Sequence, residues 1–396
     1  MRLLTLITVG ALAGCAVVDP PVADLLIRNA NVVAYPGAEV QYQTDIALRD
    51  GLIVAIGQDL HYAAERRLDA DGHTVTAGFW NAHVHLDATS NAPDRQRALD
   101  RHWLRFGFVG VVDTGSTPGL TRSLIADVGA GHLRGPTIVR AGGSFVAPNG
   151  TPSYLPGIRL PELGSEARAR AATAAVLADG ADGVKIFSGS FQTPTETIHL
   201  DADVIRAVAD TAHDAGAFVI THPTDLIGVR RAVESGVDIL AHTAPSAGPL
   251  PDDLLAAMIA ADTVLVPTLY LFEWQLRENG LPPVVIERYT AAARGQLTAF
   301  HQAGGTVIFG TDAGFVTDYD PTAEYQAMAA AGLSVDDILA SLTTHPTQVF
   351  GRGSGQIEIG EIADLVLLDG DPYSDVTVLA RVRYTVRDGV LIFENE

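Results

Sequence analysis

Between residues 74 and 351 the chain runs through eight short apolar segments, and most of them end on a residue able to do chemistry. Val75–His85, Phe108–Thr114, Thr137–Ala141, Gly183–Phe187, Ala217–Thr221, Val237–His242, Val264–Leu269 and Thr306–Thr311 read as strands. All but the last precede a helix-like stretch rich in Ala, Leu and Arg, such as Asp201–Ala215 or Thr224–Ser235. The last is followed by a loop and then the helix Thr322–Ala331. Eight β/α units in about 275 residues match the size and period of a (β/α)8 TIM barrel, an α/β fold.

The two ends of the chain have a different texture. Leu25–Ala34 is one β-type segment, and Thr44–Ile56 reads as a hairpin turning at Asp50-Gly51. Near the C-terminus, Asp364–Leu368 is followed by Val382–Val386 and Val390–Phe393, a second hairpin turning at Asp388-Gly389. Residues 25–73 and 352–396 are therefore expected to form one small β-sandwich domain beside the barrel of residues 74–351.

Composition removes whole classes of function. With 47% hydrophobic and 18% charged residues, the chain is too apolar to be disordered. A net charge of −21 repels phosphate backbones, so no nucleic-acid partner is expected. The same carboxylates, with 12 His, favour metal binding. The one Cys excludes an intramolecular disulfide, and its position is informative. A short basic start, Met1-Arg2, leads into the apolar run Leu3–Ala13 and then Gly14-Cys15, which reads as a signal peptide. Leu12-Ala-Gly-Cys15 resembles a bacterial lipoprotein signal, in which Cys15 becomes the lipidated first residue. That resemblance implies a signal peptide over residues 1–14, a lipidated linker over 15–24 and membrane attachment through Cys15. It places the protein in the cell envelope. Ala16 stands where Asp would signal inner-membrane retention, which in a two-membrane bacterium implies the outer membrane or periplasmic face.

Chemistry-bearing residues recur at the strand ends. In a strand, residues i and i+2 face one side, so His83 and His85 can reach one metal while Val84 points away. Lys185 sits inside the apolar strand Gly183–Phe187, where an unpaired ammonium is costly and needs a reason. His222, His242 and Asp312 end the fifth, sixth and eighth strands. The C-terminal ends of barrel strands are where barrel chemistry is built. The other eight His read as solvated or packed, with His345 in a structural role beside the site.

The order His-x-His, Lys, His, His, Asp resembles the binuclear metal-dependent branch of the amidohydrolase superfamily. Gly78-Phe-Trp-Asn-Ala-His-Val-His85 is similar to its first-strand signature and Gly310-Thr-Asp-Ala-Gly314 to its eighth. Leu333–Gly351 resembles its post-barrel helix pair, and Gly355–Gly360 with Ala363–Pro372 its returning sheet segment. The resemblance implies two divalent ions, with zinc as the default and Mn or Co also fitting. His83, His85 and Asp312 would hold one ion, and His222 and His242 the other. Lys185 would bridge both as a CO2-derived carbamate, an anionic two-oxygen ligand that an ammonium is not. Two ions about 3.5–4 Å apart can share a hydroxide that attacks a carbonyl carbon. Asp312 would move its proton to the leaving group.

Within that superfamily the chain most resembles the imidazolonepropionase-like and Xaa-Pro/Xaa-Arg dipeptidase group, sharing Val266-Pro-Thr-Leu269. It departs at two places where that group binds substrate. Gly142-Gly-Ser144 replaces a Gly-Gly-His loop, and Thr224 replaces an aromatic residue or His. Asn149 and Tyr154 in the loop Phe145–Pro156, Tyr270 after strand seven and the segment Phe315–Tyr319 are candidate pocket walls. The expected activity is hydrolysis of an amide-type C–N bond in a small molecule: a dipeptide, an N-acyl amino acid or a cyclic amide. The alternatives are a lactone or phosphotriester hydrolase on the same site, and a non-catalytic surface lipoprotein that binds a ligand. Should the chain self-associate, a homodimer is the expected form.

Overall fold

The computed structural model describes residues 20–193 and 195–395. The signal segment and Cys15 lie outside the described residues. Five strands come first: β1 (Val22–Val32), β2 (Gln41–Arg49), β3 (Leu52–Gly57), β4 (Ala63–Asp69) and β5 (Thr74–Ala77). The barrel strands follow as β6 (Phe79–Val84), β7 (Phe108–Asp113), β8 (Thr137–Phe145) and β9 (Gly183–Phe187). A hairpin, β10 (Gly189–Thr193) and β11 (Glu196–His199), interrupts them. The barrel then resumes with β12 (Phe218–His222), β13 (Ile239–Ala241), β14 (Val264–Val266) and β15 (Thr306–Val307). The chain ends with β16 (Leu365–Leu368), β17 (Val382–Arg387) and β18 (Val390–Glu394).

β6 to β9 and β12 to β15 form one parallel sheet in chain order. Its two edges meet. Ala82 N donates to the Phe309 carbonyl and Asp312 N to the His83 carbonyl, both at 2.8 Å. Val84 also bridges Ala313 in parallel. The barrel closes through the segment after β15, and this puts Asp312 beside His83 of β6 and His85 just past it.

Inside the barrel, Trp80, Ala141, Ile220, Ile239, Val266 and Ile308 belong to one buried cluster. Phe350, from the helix Thr344–Phe350, stacks on Trp80 at 5.7 Å and meets Phe218 edge-on at 5.4 Å. Both partners lie near the starts of their strands, so this aromatic trio plugs the end opposite the site. The outer helices bury one stripe each. Ala202–Asp214 turns Val204, Ile205, Val208 and Ala212 inward at i, i+4 spacing, behind the sheet.

The terminal strands build a second sheet, ordered β18-β17-β16-β5-β1-β2-β3, with β4 on the first half of β1. Leu25, Ile46 and Ile53 of one arm share a core with Val75, Leu365 and Val386 of the other. The two faces of the expected sandwich are thus arms of one sheet branched at β1. Both hairpins turn at residues with positive φ, Asp50-Gly51 and Asp388-Gly389, as a two-residue turn of primed type requires.

The segment Val75–His85 is two strands, not one. Val75–Ala77 pair with β16 in the terminal sheet. From Phe79, whose N–H meets the Gly107 carbonyl, the chain pairs with β7 in the barrel. The first barrel strand is thereby anchored to the second sheet by a direct continuation of the backbone. No helix among the described residues is long and apolar enough to cross a membrane.

Candidate active site

Five side chains converge on the C-terminal mouth of the barrel, with Lys185 on the wall of the same cavity. His85 Nε2 lies 2.9 Å from Asp312 Oδ1, and His83 Nε2 lies 3.4 Å from the same oxygen. His242 Nε2 is 3.9 Å from Asp312 Oδ2. One ligand atom each from His83, His242 and Asp312 falls within 4.8 Å of the others, a grouping that can hold a metal ion. The His222 ring is 4.7 Å from the His242 ring, which is 4.7 Å from His83. Lys185 is 2% exposed, and no carboxylate among the described residues pairs with it; its Nζ lies 5.5 Å from the Phe187 ring centroid.

The electrostatics follow from burial. Desolvation is the main cause that holds His83 and His242 well below the usual histidine range, and neighbouring cations add to it. It brings His222 down to about 3. Burial also lowers Lys185 to about 8, against the pull of Asp312. His83, His222 and His242 are therefore neutral at pH 7, and a fraction of the lysine is neutral amine.

Buried polar atoms are normally hydrogen-bonded. His83 Nδ1 and Asp312 Oδ1 are buried without a hydrogen-bond partner. The close His85 contact to that oxygen does not have hydrogen-bonding geometry. Neutral imidazoles and an unsatisfied carboxylate oxygen sharing one space fit a divalent cation better than a packed core.

The surrounding backbone is shaped for this. Ser144, Thr224, His242, Thr268 and Asp312 all have positive φ; Ser144 is the penultimate residue of β8, and the other four follow barrel strands. Non-glycine residues tolerate this conformation only where the surroundings impose it. Gly314 also has positive φ, and a Cβ there would overlap the His85 carbonyl oxygen. A Cβ on Gly310 would press on Val266 and His83. The strand-eight glycines thus let the Asp312 turn sit against β6. Asn81 locks the same seam: its Nδ2 donates to Thr311 Oγ1 at 2.8 Å and its Oδ1 accepts from Thr311 N at 3.2 Å.

The metal-type residues open into a cavity of about 790 Å³. Tyr154 lines it, its ring 6.2 Å from His222 and 5.8 Å from Phe315. Asn149 and Tyr270 do not. Asn149 sits in an exposed turn at φ 59, and the lining passes it by. Tyr270 turns outward, its hydroxyl 3.3 Å from Asp318. The helix Leu269–Glu278 instead presents Leu271, Phe272 and Gln275 to the cavity. These were missed because the helix begins at Leu269, inside the segment read as strand. Phe191, on the hairpin β10–β11, also lines the cavity. That hairpin holds the loop Phe145–Pro156: Phe191 accepts from Ser153 N at 2.9 Å, and Gln192 Nε2 donates to the Thr151 carbonyl at 3.1 Å. Ser144 and Thr224 line the cavity, with the Thr224 hydroxyl donated to the Gly189 carbonyl at 2.8 Å.

One further signal was legible in the sequence: Lys185 is the only lysine of the chain, and every other basic side chain of the Lys/Arg pair is Arg. Arg cannot present a neutral amine near pH 7, and Lys can. His345, outside the mouth, donates or accepts at Nδ1 to the Val307 carbonyl at 2.8 Å; a carbonyl only accepts, so Nδ1 is the donor.

A family model described as Amidohydrolase family matches residues 74–392. An uncharacterized protein of Mycobacterium tuberculosis (strain ATCC 25618 / H37Rv) is 27% identical over 331 residues, covering 78% of this chain and 82% of its own. Among solved structures, a Xaa-Pro dipeptidase with methionine bound in its active site superposes with a TM-score of 0.80 at 23% identity, covering 94% and 100% of the two chains. A prolidase complexed with N-methylphosphonate-L-proline gives 0.78 at 24% identity, covering 94% and 100%. At these identities the structural likeness shows the fold.

Proposed function

The chain belongs to the amidohydrolase family, and from that premise we propose that it is a metal-dependent hydrolase of an amide-type C–N bond in a small molecule. The observation that carries this is the convergence of His83, His242 and Asp312 within 4.8 Å, with a buried oxygen of Asp312 left unsatisfied. The ligand sets proposed are His83, His85 and Asp312 for one ion and His222 and His242 for a second. Zinc is the expected metal, because imidazole with carboxylate suits it. Bound there, divalent ions would acidify water and polarise a carbonyl oxygen.

The chain's own groups supply the rest. Lys185, as neutral amine, adds through Nζ to the carbon of CO2 and loses a proton, giving an anionic carbamate with two ligand oxygens. Asp312 accepts the proton of the attacking water at its carboxylate and delivers it to the leaving nitrogen. Tyr154, Phe187 and Phe272 wall the cavity with apolar ring faces.

A dipeptide, an N-acyl amino acid or a cyclic amide fits this chemistry. The likeness to a Xaa-Pro dipeptidase and a prolidase favours starting with the first. We place the protein in the cell envelope, lipid-anchored at Cys15, on the strength of Leu12-Ala-Gly-Cys15. Labelling by a palmitate analogue that disappears in Cys15→Ala tests that part.

The test of the activity begins with metal content per chain, purified without chelator. About two ions, followed by turnover on a panel of matched amides, lactones and phosphotriesters with amides preferred, is the expected result. About one ion points to a mononuclear site. No metal after incubation with Zn or Mn and bicarbonate overturns the hydrolase reading in favour of a ligand-binding lipoprotein.

A further inference from the structure

We infer that Thr268 and Glu324 are positioning residues that set the tautomer of His242, leaving its Nε2 lone pair directed to the side of Asp312. The argument starts from a cap that is missing. The helix Leu269–Glu278 begins immediately after Thr268, which stands at its N-cap position. A threonine there normally turns its hydroxyl onto an orphan N–H of the first turn. Thr268 makes no such bond.

Glu324 does that work instead. It comes from the helix Thr322–Ala330, is 1% exposed, and sets one carboxylate oxygen on each of the first two N–H groups: Leu269 N at 2.8 Å and Tyr270 N at 2.7 Å. The Thr268 hydroxyl is released for other partners. It donates its one proton to the Pro267 carbonyl at 2.9 Å. His242 Nδ1 lies 2.5 Å from the same oxygen. Having given away its proton, Thr268 Oγ1 can only accept, so His242 carries its proton on Nδ1. Nε2 is then the unprotonated nitrogen, and it lies 3.9 Å from Asp312 Oδ2.

The backbone of Thr268 agrees. Its φ of 43 and ψ of 54 are left-handed, an outlier for a β-branched residue. The hydroxyl that this turn directs at His242 is the evident return for the strain. A ring nitrogen bonded away from a ligand site fixes which nitrogen is free to bind metal. The metal arm of this inference rests on the reading above; the tautomer arm does not.

The experiment uses the protein with metal stripped by chelator and imidazole 15N labelling, with the His242 signals assigned from His242→Gln. The expected wild-type spectrum shows the Nδ1–H tautomer. In Thr268→Val, which keeps the shape but removes the acceptor, that preference is lost; Thr268→Ser, which keeps the hydroxyl, restores it. On titration with Co(II), followed by its visible spectrum, Thr268→Val binds the His242-dependent ion about 10- to 100-fold more weakly, and Thr268→Ser recovers at least most of that loss. Glu324→Gln, which keeps one acceptor oxygen, gives an intermediate loss. An unchanged His242 tautomer in Thr268→Val overturns the inference, as does a Thr268→Ser spectrum that fails to return. Should Thr268→Val not fold, wild-type protein with the Nε2–H tautomer overturns it alone. Wild-type protein that shows Nδ1–H but takes up no metal supports the positioning role and defeats the metal reading.

Discussion

His85 Nε2 and Asp312 Oδ1 lie 2.9 Å apart, one just past the first barrel strand and the other just past the last. The contact exists because the barrel closes: Asp312 N binds the His83 carbonyl, and His85 N binds the Ala313 carbonyl. Closure of the fold and assembly of the site are the same event.

Asp312 is therefore the residue whose loss should be felt twice. Asp312→Asn keeps the shape but removes the carboxylate charge and the proton acceptor. We expect turnover to fall by about 100-fold or more, the usual scale for acid–base catalysis, and metal content to fall with it. Kinetics and metal analysis on the same preparation check this; unchanged turnover would sink the mechanism.

A single lysine makes the carbamate directly visible. Protein equilibrated with 13C-bicarbonate should give one carbamate resonance, because Lys185 has no lysine competitor in the chain. Lys185→Arg should abolish it and lower the metal stoichiometry. A spectrum of the metal-loaded wild-type protein without that signal would remove the bridging role.

Stability of the metal-free protein should depend on pH in a set direction. His222 is lowered to about 3, and His83 and His242 lie well below their ordinary value. As pH falls below about 6.5, the unfolded chain takes up protons on these imidazoles that the native state refuses. Stability is thus lost as pH falls. Lys185, at about 8, adds a second window: between about 8 and 10.5 the unfolded lysine stays protonated while the native one does not, so stability rises with pH there. Urea midpoints from pH 5 to 10 read both. His222→Gln should flatten the acid limb and Lys185→Met the alkaline one.

Gly314→Ala should damage the site from the backbone side. At φ 103, with its added Cβ on the His85 carbonyl, the variant must move either the Asp312 turn or β6. The expected cost is about 2 kcal/mol or more, of the order seen on overpacking a core. Gly119→Ala, where the added carbon meets nothing within 4 Å, serves as the control and should shift stability little. Equal urea midpoints for the two variants would contradict the steric argument.

The ligand-type residues were legible in the sequence because barrel periodicity is local. Each strand announces itself by its apolar run, and the residue at its end needs no knowledge of its neighbours. His83, His85, His222, His242 and Asp312 could be picked out in that way, and Lys185 by its place inside an apolar strand; the structure brings all six to one cavity. The pocket walls were harder. Tyr154 lines the cavity, whereas Asn149 and Tyr270 face away from it, because a loop turn and a helix start decide their directions.

The amino-acid sequence by itself determined the alternation of strands and helices, the terminal hairpins with their Asp-Gly turns, and which side chains stand at strand ends. All of these depend on residues a few positions apart. Tertiary structure decided the rest. It split Val75–Ala77 from Phe79–Val84, since only pairing with β16 and β7 tells one half from the other. It gave the capping of Leu269 to Glu324 and the Thr268 hydroxyl to His242. The hydroxyl's proton goes to its own neighbour Pro267, but the ring its oxygen accepts from belongs to a chain segment that comes together with it only when the barrel closes.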